Sequence, residues 1–425
     1  MRETWTLPAL LVFSASLGAI APVPHAVRQA PLHTKVATVA SPAAANSAQP
    51  HLSVSSRGVL LSWIEREGSR ATLKFAERTA TGWSAPRAVA AGDDWFVNWA
   101  DVPSVMRLSN GALAAHWLQR SGPGTYAYDV RLSRSTDEGR TWSTSVLPHS
   151  DGTKTEHGFA SLFEMPGAGL GLIWLDGRAM HGDSHSAPAA GAGAMALQFG
   201  SFDRTWKQTA ETPVDTRVCE CCPTSAAVTA DGPIVAFRNR SDGEIRDIVV
   251  SRLEGGRWTE PQPVANDGWH ITGCPVNGPM IAARGKTVVV AWFTGAGQQN
   301  RSFAAFSSDA GRTFGAPIRL DDGGSLGRVD VDLLDDGSAI ASWIEFASGS
   351  AEFRFRRVEP SGRKSAPVTV APMTSDRSQG FPRLARHNNE LVFAWTENVP
   401  AAAPAKGNLP HVRTAVAAVP RIPRQ

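Results

Sequence analysis

The chain of 425 residues is 42% hydrophobic and 19% charged, with a formal net charge of +3. Charges of both signs are interspersed and no run of Lys or Arg occurs, so the electrostatic footprint of a nucleic-acid or general polyanion binder is missing. Its 39 Gly and 29 Pro suit many short strands joined by turns.

The N-terminus reads as an export signal. Met1-Arg2 supplies a positive start, and the apolar stretch Leu7–Ala21 is shorter than the ~20 residues a spanning helix requires. Ala19-Ile20-Ala21 resembles a cleavage box, although Pro22 follows it directly. The cut is therefore expected between residues 21 and 30, and the signal is assigned to residues 1–26. No cysteine follows the apolar core, which excludes a lipoprotein anchor; an uncleaved anchor helix is the alternative. The expected location is the periplasm or the extracellular space, with no stable membrane insertion after signal removal. Residues 27–50 hold a candidate strand, Thr34–Val39, and an Ala/Ser/Pro-rich linker, Ala40–Pro50.

From residue 51 to 420 one unit repeats. Seven short apolar runs end at Trp63, Trp117, Trp174, Phe237, Trp292, Trp343 and Trp395, spaced 51 to 63 residues apart. A period of this length marks one supersecondary unit used repeatedly. Runs of about five β-branched or apolar residues are strands rather than helices. In the second unit Val102–Leu108 and Ala112–Trp117 flank the turn Ser109-Asn110-Gly111, and Tyr128–Ser133 and Ser143–Leu147 follow. Related turns recur at Arg57-Gly58, Asp231-Gly232, Asp336-Gly337 and Asn388-Asn389.

Four antiparallel strands per repeat predict an all-β chain folded as a single β-propeller of seven blades, with six the alternative count. A closed propeller makes one domain of a length that would otherwise suggest about three. The last unit shows only three strands, Pro382–Arg386, Leu391–Trp395 and His411–Val419, interrupted by the low-complexity stretch Pro400–Leu409. Thr34–Val39 is expected to complete that blade and close the ring.

Two third turns carry a sharper signature. Ser135-Thr136-Asp137-Glu138-Gly139-Arg140-Thr141-Trp142 and Ser307-Ser308-Asp309-Ala310-Gly311-Arg312-Thr313-Phe314 both fit S-x-D-x-G-x-T-[WF], and worn versions sit at Ser201–Trp206 and Gly255–Trp258. The motif resembles the Asp box, the bacterial neuraminidase repeat of sialidase-like propellers, over residues 48–420. In such a turn Asp137 and Asp309 cap backbone N–H groups, Gly139 and Gly311 take positive φ, and Trp142 and Phe314 pack between neighbouring sheets. The resemblance implies a glycan-binding or glycoside hydrolase-like propeller, its boxes on the face away from the pocket.

Sialidases bind the substrate carboxylate with three arginines and use a Tyr nucleophile assisted by Glu, with an Asp as acid/base. This chain departs from that pattern. Its only tyrosines, Tyr126 and Tyr128, come early rather than late, and no Arg-Ile-Pro motif opens the propeller; Arg421-Ile422-Pro423 lies past the last blade. Sialidase domains also have six blades against the seven counted here.

In a propeller the loops leading into the innermost strands gather on one face with those after the second strands. Here they are rich in Trp, His, Arg and acids, which suits a sugar or a small anion. Trp99, Arg178, Arg217, Arg238, Arg240, Arg328 and His270 are the ligand-binding candidates, and Asp101, His157, Asp176 and Glu244 the catalytic ones. Asp101, His157, Arg217, Arg238 and Arg328 are expected to converge in one depression.

All four cysteines fall in two consecutive leading loops: Cys219, Cys221 and Cys222, then Cys274. In an exported chain an even count favours disulfides, with Cys274 bridging to the first group. The rival is a copper or zinc thiolate site with His157, His270, His181 or His185 nearby; no other cofactor is expected. Three readings stand: a glycan-binding or glycan-active propeller, a propeller binding protein or peptide, and a metal or redox protein built on the cysteines.

Overall fold

The computed structural model describes Met1 and residues 34–180, 193–347, 349–400 and 408–420. The expected signal peptide, apart from Met1, and His181 and His185 lie outside the described residues. Within them the apolar anchor runs form the second strand of every blade, because β-branched and aromatic side chains fill both faces of a sheet wedged between two others. Trp63, Trp174, Trp292 and Trp343 are fully buried, Phe237 nearly so, and Trp117 and Trp395 keep 5% and 6% exposure at the wedge rim.

Seven antiparallel sheets follow one another around an axis. The first contains Ser47–Ser55, Gly58–Glu67, Arg70–Glu77 and Arg87–Gly92. Ser47–Pro50, assigned above to the linker, therefore already belong to the innermost strand. Blade two holds Ser104–Arg107, Leu113–Arg120 and Tyr128–Ser135, and its expected fourth strand at Ser143–Leu147 is reduced to one bridge between Leu132 and Val146. Blades three and four begin at His157–Met165 and Ser225–Thr229, and blades five and six at Met280–Arg284 and Ser325–Leu333.

Blade seven combines Arg383–His387, Glu390–Pro400 and Asn408–Ala418 with Ala37–Val39 from the other end of the chain. Ala37 pairs with Val416 and Val39 with Thr414, while Thr34 Oγ1 donates to Ala418 O at 2.8 Å. Arg78 after blade one's third strand pairs with Glu390 of blade seven at 2.8 Å, a second tie across the seam. The N-terminal strand thus forms the outermost strand of blade seven and closes the ring non-covalently.

The Asp-box turns have the expected geometry. Asp137 Oδ1 accepts from Thr141 N at 2.9 Å, and Ser135 Oγ accepts from Gly139 N at 2.9 Å. Asp309 repeats this with Thr313 N at 2.9 Å, and Ser307 with Gly311 N at 2.9 Å. Gly139 and Gly311 have φ of 76° and 82°, and a Cβ on either would strike Phe75 or Ile234 of the preceding blade. Glycine is thus required twice over, by conformation and by close approach. Glu138 within the first box pairs with Arg57 in blade one's first hairpin turn. The boxes therefore lie on the face of the first-hairpin turns, opposite the loops that lead into the innermost strands.

Candidate functional site

On that opposite face the innermost strands do not run straight to the rim. Register shifts interrupt blade one between Ala48 and His51, blade three near Phe159 and blade six between Gly327 and Asp330. At these bulges Gln49, Phe159 and Arg328 have φ of 53°, 50° and 53°, and Val276 in the loop leading into blade five has 48°. Positive φ at bulky residues is strained and persists only where surrounding structure holds it; bulges of this kind re-aim side chains. Neighbouring blades supply the hold. Asp101 Oδ2 accepts from Phe159 N at 2.8 Å, and Asn277 Oδ1 from Arg328 N at 2.7 Å.

Above the bulges lies a cavity of about 230 Å³ walled by Phe96, Trp99, Tyr126, Glu156, Cys221, Cys274 and Arg377, among others. Ala100 and Phe159 also wall a separate axial cavity of about 310 Å³ beneath it. Trp99 stacks on Phe381 with centroids 5.9 Å apart and planes 7° apart. The guanidinium carbons of Arg328 and Arg377 stand 5.3 and 5.9 Å from the Trp99 ring centre. Arg328 Nη1 donates to Gly380 O at 3.0 Å, and burial, with Arg377 nearby, pulls its pKa down to about 10.

The floor carries an acid–hydroxyl–acid trio. Tyr128 Oη lies 2.8 Å from Glu156 Oε1 and 3.0 Å from Asp101 Oδ2, and its ring stacks on Phe96 at 3.9 Å. Burial, with Glu156 and Asp101 adding repulsion, drives the Tyr128 pKa well above its ordinary value. Burial also raises Asp101 to about 7, against hydrogen bonds from Phe159 N and Tyr128 that favour its charge. Tyr–Glu–Asp is the set the resemblance assigns to sialidase chemistry, but here it comes from blade two and the loop into blade three, and the phenolate is disfavoured.

The other candidates lie elsewhere, which corrects the expected convergence of Asp101, His157, Arg217, Arg238 and Arg328. His157 is fully buried beside His149, their rings stacked at 3.9 Å, with Asp129 and Asp151 each 3.2 Å from one of its nitrogens. Burial lowers the His157 pKa, but Asp129, Asp176 and Asp151 together raise it above the ordinary value, while burial and His157 lower His149. Asp176 accepts the Trp174 indole N–H at 2.8 Å and pairs with Arg178 at 2.8 Å, and Arg178 also meets Glu211 at 2.9 Å. None of these residues walls the cavity.

Arg238 spends its donors on the carbonyls of Arg246, Asn277 and Phe293 at 2.6 to 3.1 Å. Arg217 reaches outward to Asp242 at 2.9 Å, and His270 is exposed. Glu244 closes a box with Arg240, Arg246 and Glu220, each contact between 2.8 and 3.3 Å. Burial opposes its charge, but the two arginines outweigh burial and lower its pKa, so it is no proton donor at neutral pH. Of the ligand candidates only Trp99 walls the cavity, with Arg328 against it. Arg377, Glu156, Phe96 and Tyr128 complete the site; their signal was position in the same rim loops.

The cysteines do come together, without a disulfide: all four are thiols. Cys219 Sγ is 3.4 Å from Cys222 Sγ and 3.8 Å from Cys221 Sγ, and Cys274 packs on the group. Arg246 Nη1 donates to Cys219 Sγ at 3.3 Å. Burial raises Cys219 to about 11. Burial works the same way on Cys222, but hydrogen bonds from Cys219 and Cys221 and the charge of Arg238 outweigh it and lower its pKa.

No protein family and no curated protein matches the chain. Among solved structures it is similar to a protein of unknown function from Dyadobacter fermentans, with a TM-score of 0.52 and 13% identity over 92% of this chain and 100% of that one. It is similar to the endosialidase of phage phi92 with a TM-score of 0.50 and 9% identity over 91% of this chain and 69% of that one. Polysaccharide lyase Uly1 matches with a TM-score of 0.49 and 11% identity over 94% and 96% of the two chains. The likeness is one of fold, the β-propeller.

Proposed function

We propose that the protein is an exported propeller that binds a carbohydrate or small anionic ligand in the cavity above the bulges. The observation that carries this reading is Trp99, a rigid aromatic plane on the cavity wall with the guanidinium groups of Arg328 and Arg377 against it. A sugar can pack against the part of this ring that walls the cavity, and an acidic substituent finds Arg377 beside it. At about 230 Å³ the space is below the ~300–1,000 Å³ of drug-sized pockets, which suits a single sugar unit or a small acid. The fold likeness to an endosialidase supports a glycan as the ligand class; fold by itself assigns no function.

Binding is favoured over hydrolysis by the protonation of the floor. A tyrosine nucleophile must lose its proton as it attacks, and Tyr128 is held as a phenol between two acids. Calorimetric titration of the full chain with sialic acid, a uronic acid and the matching neutral sugars tests the reading. Saturable binding of an acidic sugar is expected, weakened about tenfold or more by Trp99→Ala and by Arg377→Ala. Binding unchanged in both variants, or no heat from any of these sugars at millimolar concentration, would overturn it.

A further inference from the structure

The cysteine cluster carries chemistry that the glycan reading does not use. Cys219, Cys221 and Cys222 are buried in one turn, and their sulfur atoms all lie within 4.8 Å of one another. Three sulfurs sharing an ion at about 2.3 Å would stand roughly 3.8–4.0 Å apart; the separations from Cys219 are 3.4 and 3.8 Å. We propose that Cys219, Cys221 and Cys222 form a trigonal thiolate site for a soft monovalent ion, Cu(I), with Cys274 at its mouth.

Ligand chemistry and charge choose the ion. Thiolates select Cu(I) and Zn(II) over harder cations. Zn(II) prefers four ligands, and among the described residues only Cys219, Cys221 and Cys222 have sulfur atoms mutually within 4.8 Å; Cys274 stands outside that set, His157 lies among Asp129, Asp151 and Asp176, and His270 is exposed. Three thiolates around a monovalent ion leave two negative charges. Arg246 stands 3.3 Å from the Cys219 sulfur and offsets part of that charge, its guanidinium shared with Glu220 and Glu244. Access is provided, since Cys221 and Cys274 both wall the central cavity. Ligation replaces each S–H bond by a metal–sulfur bond and releases the proton to solvent, with no change in oxidation state.

The site does not rest on the sugar-binding reading and survives its failure. Reduced full-length protein is titrated with Cu(I) against the chromogenic chelator bicinchoninate. One ion retained per chain is expected, with Cys219, Cys221 and Cys222 protected from iodoacetamide in peptide mass spectrometry. Cys222→Ser is expected to weaken retention by at least about tenfold, and Cys274→Ser to leave the stoichiometry at one. Alkylation of the native protein is read independently of whether the variants fold. Unprotected thiols in the presence of Cu(I), disulfides among the four cysteines in the unreduced protein, or tighter retention of Zn(II) than of Cu(I) would each overturn the assignment.

Discussion

On a strand, residues i and i+2 share a face, so a carboxylate two positions after an anchor tryptophan reaches that tryptophan's indole N–H. Trp63 donates to Glu65 at 2.8 Å, Trp174 to Asp176 at 2.8 Å and Trp343 to Glu345 at 2.7 Å. Asp176, a catalytic candidate by residue type, is thus a partner for a buried indole and for Arg178. Asp176→Ala should cost about 3 kcal/mol in urea unfolding, because it strands both groups; an unchanged midpoint would contradict the role. Asp101 predicts a pH response. With its pKa at about 7 it keeps a proton in the folded state from pH ~4 to ~7, where the unfolded chain has released it. The folded state then binds more protons, so stability falls as pH rises through that interval. Asp330 and Asp332, raised by burial to about 6, act with the same sign. Melting temperatures from pH 5 to 8 should decline, less steeply in Asp101→Asn, whose amide oxygen still accepts from Phe159 N. A profile of identical slope in that variant would show that Asp101 does not titrate there.

At the scale of elements, each Asp box joins its own blade to the one before. Asp137→Ala removes a cap from an exposed turn and should lower the unfolding midpoint. Gly139→Ala should cost more, since it adds a clash with Phe75 to an unfavourable φ. Chemical denaturation of the two variants checks the order; equal losses would mean that the blade contact contributes nothing. The closing strand makes a similar junction with fewer residues. Thr38→Pro cannot place its ring and missing N–H beside Ala415 without breaking the pairing, so hydrogen exchange should quicken across Asn408–Ala418 while the third strands of the other blades keep their protection. Uniform exchange in this variant would show that the seam is not held there.

For the molecule as a whole, ring closure brings loops from five blades around one cavity and so decides what chemistry is available. Burial and the two neighbouring acids hold the pKa of the Tyr128 phenol well above its ordinary value, and no measurable release of sialic acid from an aryl sialoside is expected. Release lost in Tyr128→Phe would show that the buried phenol is a nucleophile after all; release that survives it would point to a carboxylate instead.

What the sequence determined by itself is whatever depends on neighbours along the chain. Seven anchor runs set seven blades, hairpin dipeptides set the turns, and Ser135–Trp142 and Ser307–Phe314 specified their own hydrogen bonds. Even the closing strand was legible, because a blade short of one strand demands a partner from the far end. The site was legible only as a set of loops. Trp99 could be chosen from its loop, whereas Arg217 and Arg238 match Arg377 in residue type yet turn toward Asp242 or toward backbone carbonyls. Which way such a side chain points depends on bulges at Phe159 and Arg328 held by the neighbouring blades' Asp101 and Asn277. Those are contacts between residues about fifty positions apart, and only closing the ring creates them.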